Sequence, residues 1–214
     1  MKADNLPRSS LPVDMLEAMQ RGIMSHAYRG IDCYKCPMDL AMYQRLLWET
    51  KPRTVIEIGT AKGGSALWLA DQLTVYGVEG FEIHSYDIGT PPAWRDDRIT
   101  FHQGDAFDLP GRMSASWIAE RARPLLVIED SANTSGVTTA VLEHFAPLMH
   151  KDEYIIIEDA IIHEMNADDR YDGGPRKSLA AFITSHPEFM VDERWCNYYG
   201  PNVTWNVNGY LRRR

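Results

Sequence analysis

Short apolar runs alternate with longer amphipathic stretches from Thr54 onward, which is the pattern of successive β-α-β units. The apolar runs have the length and composition of strands buried on both faces, as in a parallel sheet. The predicted strands are Thr54–Ile58, Phe81–Tyr86, Ile99–His102, Leu125–Ile128, Tyr154–Ile157, Phe189–Asp192 and Thr204–Leu211. The last strand is interrupted by Asn208-Gly209, a dipeptide typical of turns and bulges.

The stretches between these strands carry apolar residues at helical spacing, as Val141, Phe145 and Leu148 do. The predicted helices are Ser65–Leu73, Ser114–Arg123, Val137–Met149 and Pro175–Ser185. Strands that alternate with helices and close on a hairpin predict an α/β fold, with a doubly wound, mostly parallel sheet and an antiparallel edge strand.

A different pattern precedes the first strand. Met15–Tyr28 is mixed in character and indicates an irregular or helical arm, whereas Pro37 suits the first turn of a helix that runs to about Thr50. We therefore predict two parts, an N-terminal helical arm and lid over residues 1–50 and one compact domain over residues 51–214.

The composition is that of a folded, acidic protein, with 22 Lys and Arg against 30 Asp and Glu among 214 residues and a net charge of −8. Non-specific nucleic-acid binding depends on clustered positive charge, so we expect no nucleic-acid partner. No signal peptide is legible and no apolar run approaches a membrane span, which favours a cytoplasmic protein without a membrane partner. Three cysteines, an odd number, disfavour a disulfide framework.

Glycines follow the first predicted strand, at Gly59, Gly63 and Gly64. Ligands of open α/β sheets bind at this carboxyl edge. A P-loop needs Lys directly after its last glycine, and the dinucleotide fingerprint needs G-x-G-x-x-G, so neither motif fits. A nucleoside without phosphates is the remaining common ligand. Glu57 supports it, because a carboxylate repels a pyrophosphate but accepts hydrogen bonds from an ammonium group. A tight turn without a ligand is the alternative.

Acidic residues also follow the next two strands. Asp87 can accept hydrogen bonds from both ribose hydroxyls of a nucleoside, as acids at this place do in other doubly wound folds. Asp105 follows the third strand and can accept one from the adenine amino group. Either residue alone is also typical of an ordinary loop, but with Glu57 they form an ordered series.

Adjacent acids end the fourth and fifth strands, so that Asp130, Glu158 and Asp159 are expected to converge at one point of the sheet edge. Acids this close repel each other unless a cation is present. Oxygen ligands suit a hard ion such as Mg²⁺, which can acidify a substrate hydroxyl. The alternative is that some of these acids cap the following helices.

With these motifs, the chain resembles the cephalosporin hydroxylase and rhamnosyl O-methyltransferase family, a branch of the class I S-adenosylmethionine (SAM) dependent methyltransferases. The resemblance covers roughly residues 29–211. It is carried by Lys35-Cys36-Pro37-Met38-Asp39-Leu40, Tyr43-Gln44, Glu57-Ile58-Gly59-Thr60, Gly63-Gly64-Ser65-Ala66, Asp130-Ser131, Ala146-Pro147-Leu148, Glu158-Asp159, Gly174-Pro175 and Asn208-Gly209-Tyr210-Leu211.

The resemblance implies a seven-stranded Rossmann-like sheet and a SAM site. It assigns Gly59, Asp87 and Asp105 to SAM. The other residues that we predict to bind SAM are Lys35, Glu57, Thr60, Gly63, Ser65 and Ala106. It assigns a divalent metal, Mg²⁺ or another hard cation, to Asp130, Glu158 and Asp159. The implied activity is metal-assisted O-methylation of a small molecule, a sugar or a secondary-metabolite scaffold as in antibiotic biosynthesis, by a cytoplasmic homo-oligomer.

One departure concerns the catalytic base. The family tends to have Asp-Ser-x-His after the fourth strand, whereas this chain has Asn133 at the last position, and an amide cannot take a proton. Catalysis would then depend on the metal at Asp130, or on another base such as His163, which is equally typical of an ordinary loop. The missing His also leaves a second hypothesis open, a non-catalytic nucleoside-binding partner of a biosynthetic enzyme.

Overall fold

The N-terminal arm consists of a helix, a short hairpin and a second helix. In the computed structural model, which describes residues 5–214, α1 covers Val13–Ile23 and the hairpin pairs β1 (Ala27–Tyr28) with β2 (Ile31–Asp32). Helix α2 covers Pro37–Thr50, where the sequence predicted it. Pro37 opens this helix because its missing N–H and fixed φ suit a first helical turn.

A single sheet of seven strands forms the centre of the remaining chain. Its strands are β3 (Thr54–Ile58), β4 (Glu82–Asp87), β5 (Ile99–Gln103), β6 (Leu125–Glu129), β7 (Tyr154–Ile157), β8 (Phe189–Val191) and β9 (Tyr210–Arg213). The spatial order is β5-β4-β3-β6-β7-β9-β8. β3 to β7 are parallel, and β9 is antiparallel to both β7 and the edge strand β8. The predicted α/β fold with an antiparallel edge is confirmed.

Helices cover both faces of the sheet. They are α3 (Gly64–Val75), α4 (Leu109–Arg112), α5 (Ala115–Ala119), α6 (Ser135–Phe145), α7 (Gly174–Ser185) and α8 (Glu193–Cys196). Successive strand residues point to opposite faces, so Ile56 packs with α6 and α7 while Val55 packs with α2 and α3. All five residues of β3 are buried, including the polar Thr54 and Glu57.

Three predicted elements are wrong in extent by more than two residues, and one of them is the helix predicted over Val137–Met149, which covers Ser135–Phe145. The helix predicted to reach Arg123 ends at Ala119. The strand predicted over Thr204–Leu211 begins only at Tyr210, because the loop before it is organised by the buried carboxylate of Asp39. That carboxylate accepts hydrogen bonds from the Thr204 hydroxyl, the Trp205 N–H (2.8 Å) and the Tyr210 hydroxyl (3.0 Å). A side chain therefore satisfies the loop's polar groups in place of a neighbouring strand.

The structure also addresses the cysteines and the search for membrane segments. Cys33, Cys36 and Cys196 are buried and unpaired, in agreement with the expected lack of disulfides. Among the helices of residues 5–214, none combines the length and the apolar character that a membrane crossing requires.

Candidate functional site

The carboxyl ends of four parallel strands lie at one level of the sheet edge. Ile58 at the end of β3 is opposite Tyr86 on β4 and Glu129 on β6, and Glu129 is opposite Ile157 on β7. The residues that follow these positions are therefore neighbours in space. They are Gly59, Asp87, Asp130 and Glu158.

Gly59 passes so close to the backbone of Asp130 that a side chain cannot fit between them. Its φ is +112°, and a Cβ at this position would lie 1.9 Å from the carbonyl oxygen of Asp130. Only glycine tolerates both the conformation and the contact. Gly59 and Asp130 both line two neighbouring cavities, which we call the Asp87 cavity and the Lys35 cavity.

The Asp87 cavity has a volume of about 460 Å³, within the range of small-molecule sites. Its lining includes the predicted cofactor residues Gly59, Asp87, Asp105 and Ala106. Backbone N–H groups hold the two acids in place. Asp87 accepts from Ala61 (2.9 Å) and Gly89 (2.8 Å), and Asp105 accepts from Phe107 (2.9 Å).

Two apolar side chains at the Asp87 cavity remain largely exposed, Ile88 at 71% and Phe107 at 63%. Exposed apolar groups of this size at a cavity commonly contact a ligand. The Asp87 cavity therefore combines acceptors for ribose and amino groups with apolar surface for a flat base.

The Lys35 cavity is smaller, about 220 Å³, and shares Gly59, Ala61, Asp130 and Ser131 with the Asp87 cavity. The arm supplies Gln20 and Ile23 from α1, Met24 directly after it, and residues 32–35 at the end of β2 and beyond. The sheet edge supplies Gly59, Thr60, Ser65, Asp130, Ser131, Asn133 and Asp159. Thr60, Ser65 and Lys35, predicted to bind the cofactor, thus lie in this second cavity.

The Lys35 ammonium group joins two of the three predicted metal ligands. It lies 2.5 Å from Asp130 Oδ2 and 2.7 Å from Glu158 Oε1, and the Tyr43 hydroxyl donates to the same Glu158 oxygen at 2.6 Å. Burial alone would lower the pKa of Lys35, but these carboxylates raise it well above its ordinary value. Glu158 lies behind the ammonium, towards Tyr43, while Asp130 and Asp159 line the cavity.

Negative charge is only partly compensated around Lys35. Burial, together with the charges of Glu158 and Asp159, raises the pKa of Asp130 well above its usual range. Burial and Glu158 likewise raise the pKa of Asp159 to about 7. A cation in the cavity would relieve this repulsion, so the chemistry of these residues fits a hard divalent ion.

The geometry of the acids differs from the predicted triad. Within residues 5–214, no three Asp, Glu, His or Cys side chains are arranged as a ready metal site. The amide of Asn133 lies among them instead. Its Nδ2 donates to Asp159 Oδ2 at 2.8 Å, and its Oδ1 is buried without a hydrogen-bond partner.

Three other predicted residues lie outside both cavity linings. Glu57 is fully buried and accepts hydrogen bonds from the Ser65 and Ser85 hydroxyls, both at 2.5 Å, so no ammonium group is needed to satisfy it. Burial raises the pKa of Glu57. Gly63 is required for packing, because a Cβ there would lie 2.7 Å from the Trp94 ring.

His163, the predicted alternative base, is the third residue outside the cavities. It lies in a 3₁₀ turn, Ala160–His163, and its Nδ1 is 2.6 Å from Asp168 Oδ2. The structure therefore places His163 beside Asp168 rather than in the lining of the Lys35 cavity, where Asp130 and Asp159 lie.

Sequence reasoning did not identify the arm residues that line the Lys35 cavity. Gln20 is held by the Trp205 indole N–H, which donates to its Oε1 at 3.1 Å, and the Tyr34 hydroxyl donates to Asp32 at 2.9 Å. No local motif distinguishes these residues, because their position depends on how the arm folds back over the sheet edge.

The chain matches the family model described as Rhamnosyl O-methyltransferase/CmcI over residues 21–214. It is 29% identical over 196 residues to a rhamnosyl O-methyltransferase of Mycobacterium leprae (strain TN), covering 87% of this chain and 82% of that protein. It is 28% identical over 199 residues to a rhamnosyl O-methyltransferase of Mycobacterium tuberculosis (strain ATCC 25618 / H37Rv), covering 87% and 77%.

A solved structure of CmcI with Mg and SAM superposes on 98% of this chain and 87% of that one, with a TM-score of 0.68 and 27% sequence identity. The structure of an O-methyltransferase from Bacillus cereus in complex with S-adenosylhomocysteine (SAH) superposes on 99% of this chain and 94% of that one, with a TM-score of 0.54 and 18% sequence identity. The second likeness shows the fold alone.

Proposed function

Since the chain belongs to the rhamnosyl O-methyltransferase/CmcI family, a family of SAM-dependent O-methyltransferases, we propose that the Asp87 cavity binds SAM and the Lys35 cavity binds the acceptor. The observation that supports this assignment best is that the two cavities have lining residues in common. Gly59 and Asp130 line both cavities, so a methyl donor in one lies next to a hydroxyl in the other.

The protein's main contribution to this reaction is positioning. The acceptor oxygen forms a bond to the methyl group as the sulfur–methyl bond of SAM breaks, which leaves S-adenosylhomocysteine, and the hydroxyl proton passes to water. Asp87 would hold the ribose hydroxyls and Asp105 the adenine amino group, which fixes the donor while the cavity walls orient the acceptor. Alignment of two reactants in this way supplies a large part of a rate enhancement.

A divalent cation fits the Lys35 cavity, where the acceptor would bind. Asp130 and Asp159 would hold it, with Glu158, the third acid predicted from the sequence, directly behind Lys35. When bound, such a cation lowers the pKa of the hydroxyl that it contacts. Lys35 pairs with Glu158 beside the site, and the repulsion between Asp130 and Asp159, which lack a counter-charge of their own, supports the assignment.

The acceptor that suits the Lys35 cavity is a small polyhydroxylated molecule, a sugar or another secondary-metabolite scaffold. Gln20, Asp32 and the Tyr34 hydroxyl offer hydrogen-bonding groups from the arm, opposite Ser131 and Asn133. The curated relatives are named for rhamnosyl groups, which agrees with such an acceptor.

Two measurements test the proposal. Calorimetry with S-adenosylhomocysteine (SAH) should show binding to the wild type and at least tenfold weaker binding to Asp87→Ala, because the ribose hydroxyls lose their acceptor. Asp97→Ala, which removes an exposed acid, is the matched control and should bind normally. Equal affinity of the two variants would contradict the assignment of Asp87.

The second measurement is transfer of labelled methyl from SAM to a panel of glycosides with free hydroxyls. We expect methylation of at least one member. SAH binding without any transfer would instead support a non-catalytic nucleoside-binding protein, which the Asn133 amide in place of a base also favours.

A further inference from the structure

The side-chain amide of Gln20 is held in one orientation by Trp205. The indole N–H of Trp205 donates to Gln20 Oε1 at 3.1 Å. An indole nitrogen can only donate, so the atom that it meets must be the amide oxygen, and the amide nitrogen is directed away from the indole. The contact joins residues 185 positions apart, and it fixes which end of the amide is available to a ligand.

Trp205 is itself fixed in the loop around Asp39. Its backbone N–H donates to Asp39 Oδ2 at 2.8 Å, its carbonyl oxygen accepts from the Ile161 N–H at 3.1 Å, and its side chain is buried. The orientation of the Gln20 amide is therefore set before a ligand arrives. A polar group that is oriented in advance loses less conformational entropy on binding.

The amide nitrogen of Gln20 is free to donate to a ligand. Among residues 5–214, no group accepts a hydrogen bond from Gln20 Nε2, and this atom is not enclosed, because the residue is only partly buried. Gln20 lines the Lys35 cavity together with Ile23 and Met24. Those two residues lie three and four positions further along, and thus on the same face of the helix. The cavity therefore lies on the face that carries Gln20.

Other side-chain donors in the lining of the Lys35 cavity are already paired with carboxylates of the protein. These pairs are Tyr34 with Asp32, Ser65 with Glu57, Ser131 with Glu129, Asn133 with Asp159, and Lys35 with Asp130 and Glu158. Gln20 has the opposite arrangement, since its oxygen is paired and its nitrogen is not. A sugar hydroxyl can donate to the carboxylates of this lining, but its oxygen also accepts and needs a donor.

We propose that Gln20 Nε2 binds an oxygen of the acceptor other than the one that is methylated, and that Trp205 is the positioning residue for this amide. Gln20 does not line the Asp87 cavity, so the oxygen that it binds is not the one beside the methyl group. The inference rests on the proposed acceptor site and deepens it. The acceptor is then a glycoside with two oxygens in the Lys35 cavity, one at Gln20 and one at the methyl donor.

Binding of the methyl glycosides of rhamnose, glucose and galactose tests the proposal without turnover. Each is titrated into the full chain loaded with SAH, in buffer that contains Mg²⁺, and followed by NMR. Gln20→Glu replaces the amide nitrogen with an oxygen and keeps an acceptor for the indole N–H. The glycoside that the wild type binds best should bind this variant at least tenfold more weakly, because a carboxylate then faces its oxygen. Glu17→Gln, the reverse exchange at an exposed position of α1, is the matched control and should bind normally.

Trp205→Phe tests the positioning role, because it removes the indole N–H and keeps an aromatic ring in the core. We expect it to weaken binding of the same glycoside at least about threefold. In a Gln20→Ala background the same change should alter the affinity less than about twofold, since no amide is left to orient. Residues that act through one another are non-additive in this way, whereas a purely structural role of Trp205 would weaken binding in both backgrounds.

Three results would overturn the proposal. The first is no binding of any of the three glycosides by the wild type at high millimolar concentration. The second is a Gln20→Glu affinity within twofold of the wild type. The third is an equal effect of Trp205→Phe in the wild type and in the Gln20→Ala background, because Trp205 would then act independently of Gln20.

Circular dichroism of each purified variant checks that it is folded, and calorimetry with SAH separates this inference from the proposed function. If SAH binds all variants equally while glycoside binding does not follow the expected order, Gln20 does not bind the acceptor and the donor site stands. If SAH does not bind the wild type, the proposed function itself fails.

Discussion

Replacing Lys35 with methionine tests the electrostatics of the site most directly. The side chain is 4% exposed and its ammonium contacts Asp130 and Glu158, so the variant leaves two enclosed carboxylates without their counter-charge. Removing one partner of a buried ion pair costs about 3–5 kcal/mol. For a chain of this length, each kcal/mol corresponds to roughly 2–4 °C in Tm, which gives a decrease of about 6–20 °C.

The cost should depend on pH in a defined direction. Burial already raises the pKa of Asp130 above its unfolded value, and loss of the ammonium raises it further. A carboxyl with a higher pKa in the folded state binds more protons there, so the folded state loses stability as pH rises past the unfolded pKa. The deficit of Lys35→Met should therefore be largest near pH 7.5 and shrink towards pH 4.

Urea denaturation followed by circular dichroism, in buffer with a chelator, measures this deficit. Lys177→Met is the matched control, because Lys177 forms an exposed ion pair with Asp172 at 3.3 Å and exposed pairs contribute little. If the two variants unfold with the same free energy at pH 7.5, or if the Lys35→Met deficit stays constant with pH, the ammonium does not stabilise the carboxylates as we describe.

Two further predictions concern the backbone and a histidine pair. Gly59→Ala should lower the unfolding free energy by at least about 1–3 kcal/mol, since its Cβ would overlap the Asp130 carbonyl, whereas Gly22→Ala in α1 meets nothing within 4 Å and should be neutral or stabilising. Thermal unfolding of the two variants measures this difference. A Gly59→Ala variant as stable as the wild type would disprove the contact. Burial and the neighbouring His84 lower the pKa of His102 to about 4, so the folded state resists protonation and loses stability as pH falls from 6.5 towards 4. His102→Phe keeps the stack on Tyr86. Measured by urea denaturation, its free energy of unfolding should fall less than that of the wild type between pH 7 and pH 4.5. An equal fall in the two proteins would refute the assignment of this pH dependence to His102.

The strands were predicted most accurately where both faces are buried. β3 and β7 begin and end at the predicted residues because their apolar runs stop where the chain leaves the core. β9 was predicted too early, since the apolar and aromatic residues before it are buried in a loop around Asp39 rather than in a sheet. Hydrophobicity alone does not distinguish these two kinds of burial.

The site was predictable where it depends on strand ends. Asp87, Asp105 and Asp130 reach the edge of the sheet because parallel strands share their carboxyl ends. Glu57 lies outside both cavities because it is the fourth residue of β3 and its side chain points into the helix-covered face, where Ser65 of α3 donates to it. The Lys35 contacts join residues 95 and 123 positions apart, and no local pattern reveals such pairings.

The arm contributes to only one of the two cavities described above. The arm supplies Gln20, Ile23 and Met24 to the Lys35 cavity, while the lining of the Asp87 cavity is drawn from residues between Ile58 and Val137. On the proposed assignment the arm influences acceptor choice alone, whereas Gly59, Ala61, Asp130 and Ser131 belong to both sites. Mutation or exchange of the first thirty-odd residues, during evolution or in a chimera, would then change the acceptor without altering any residue that lines the donor site.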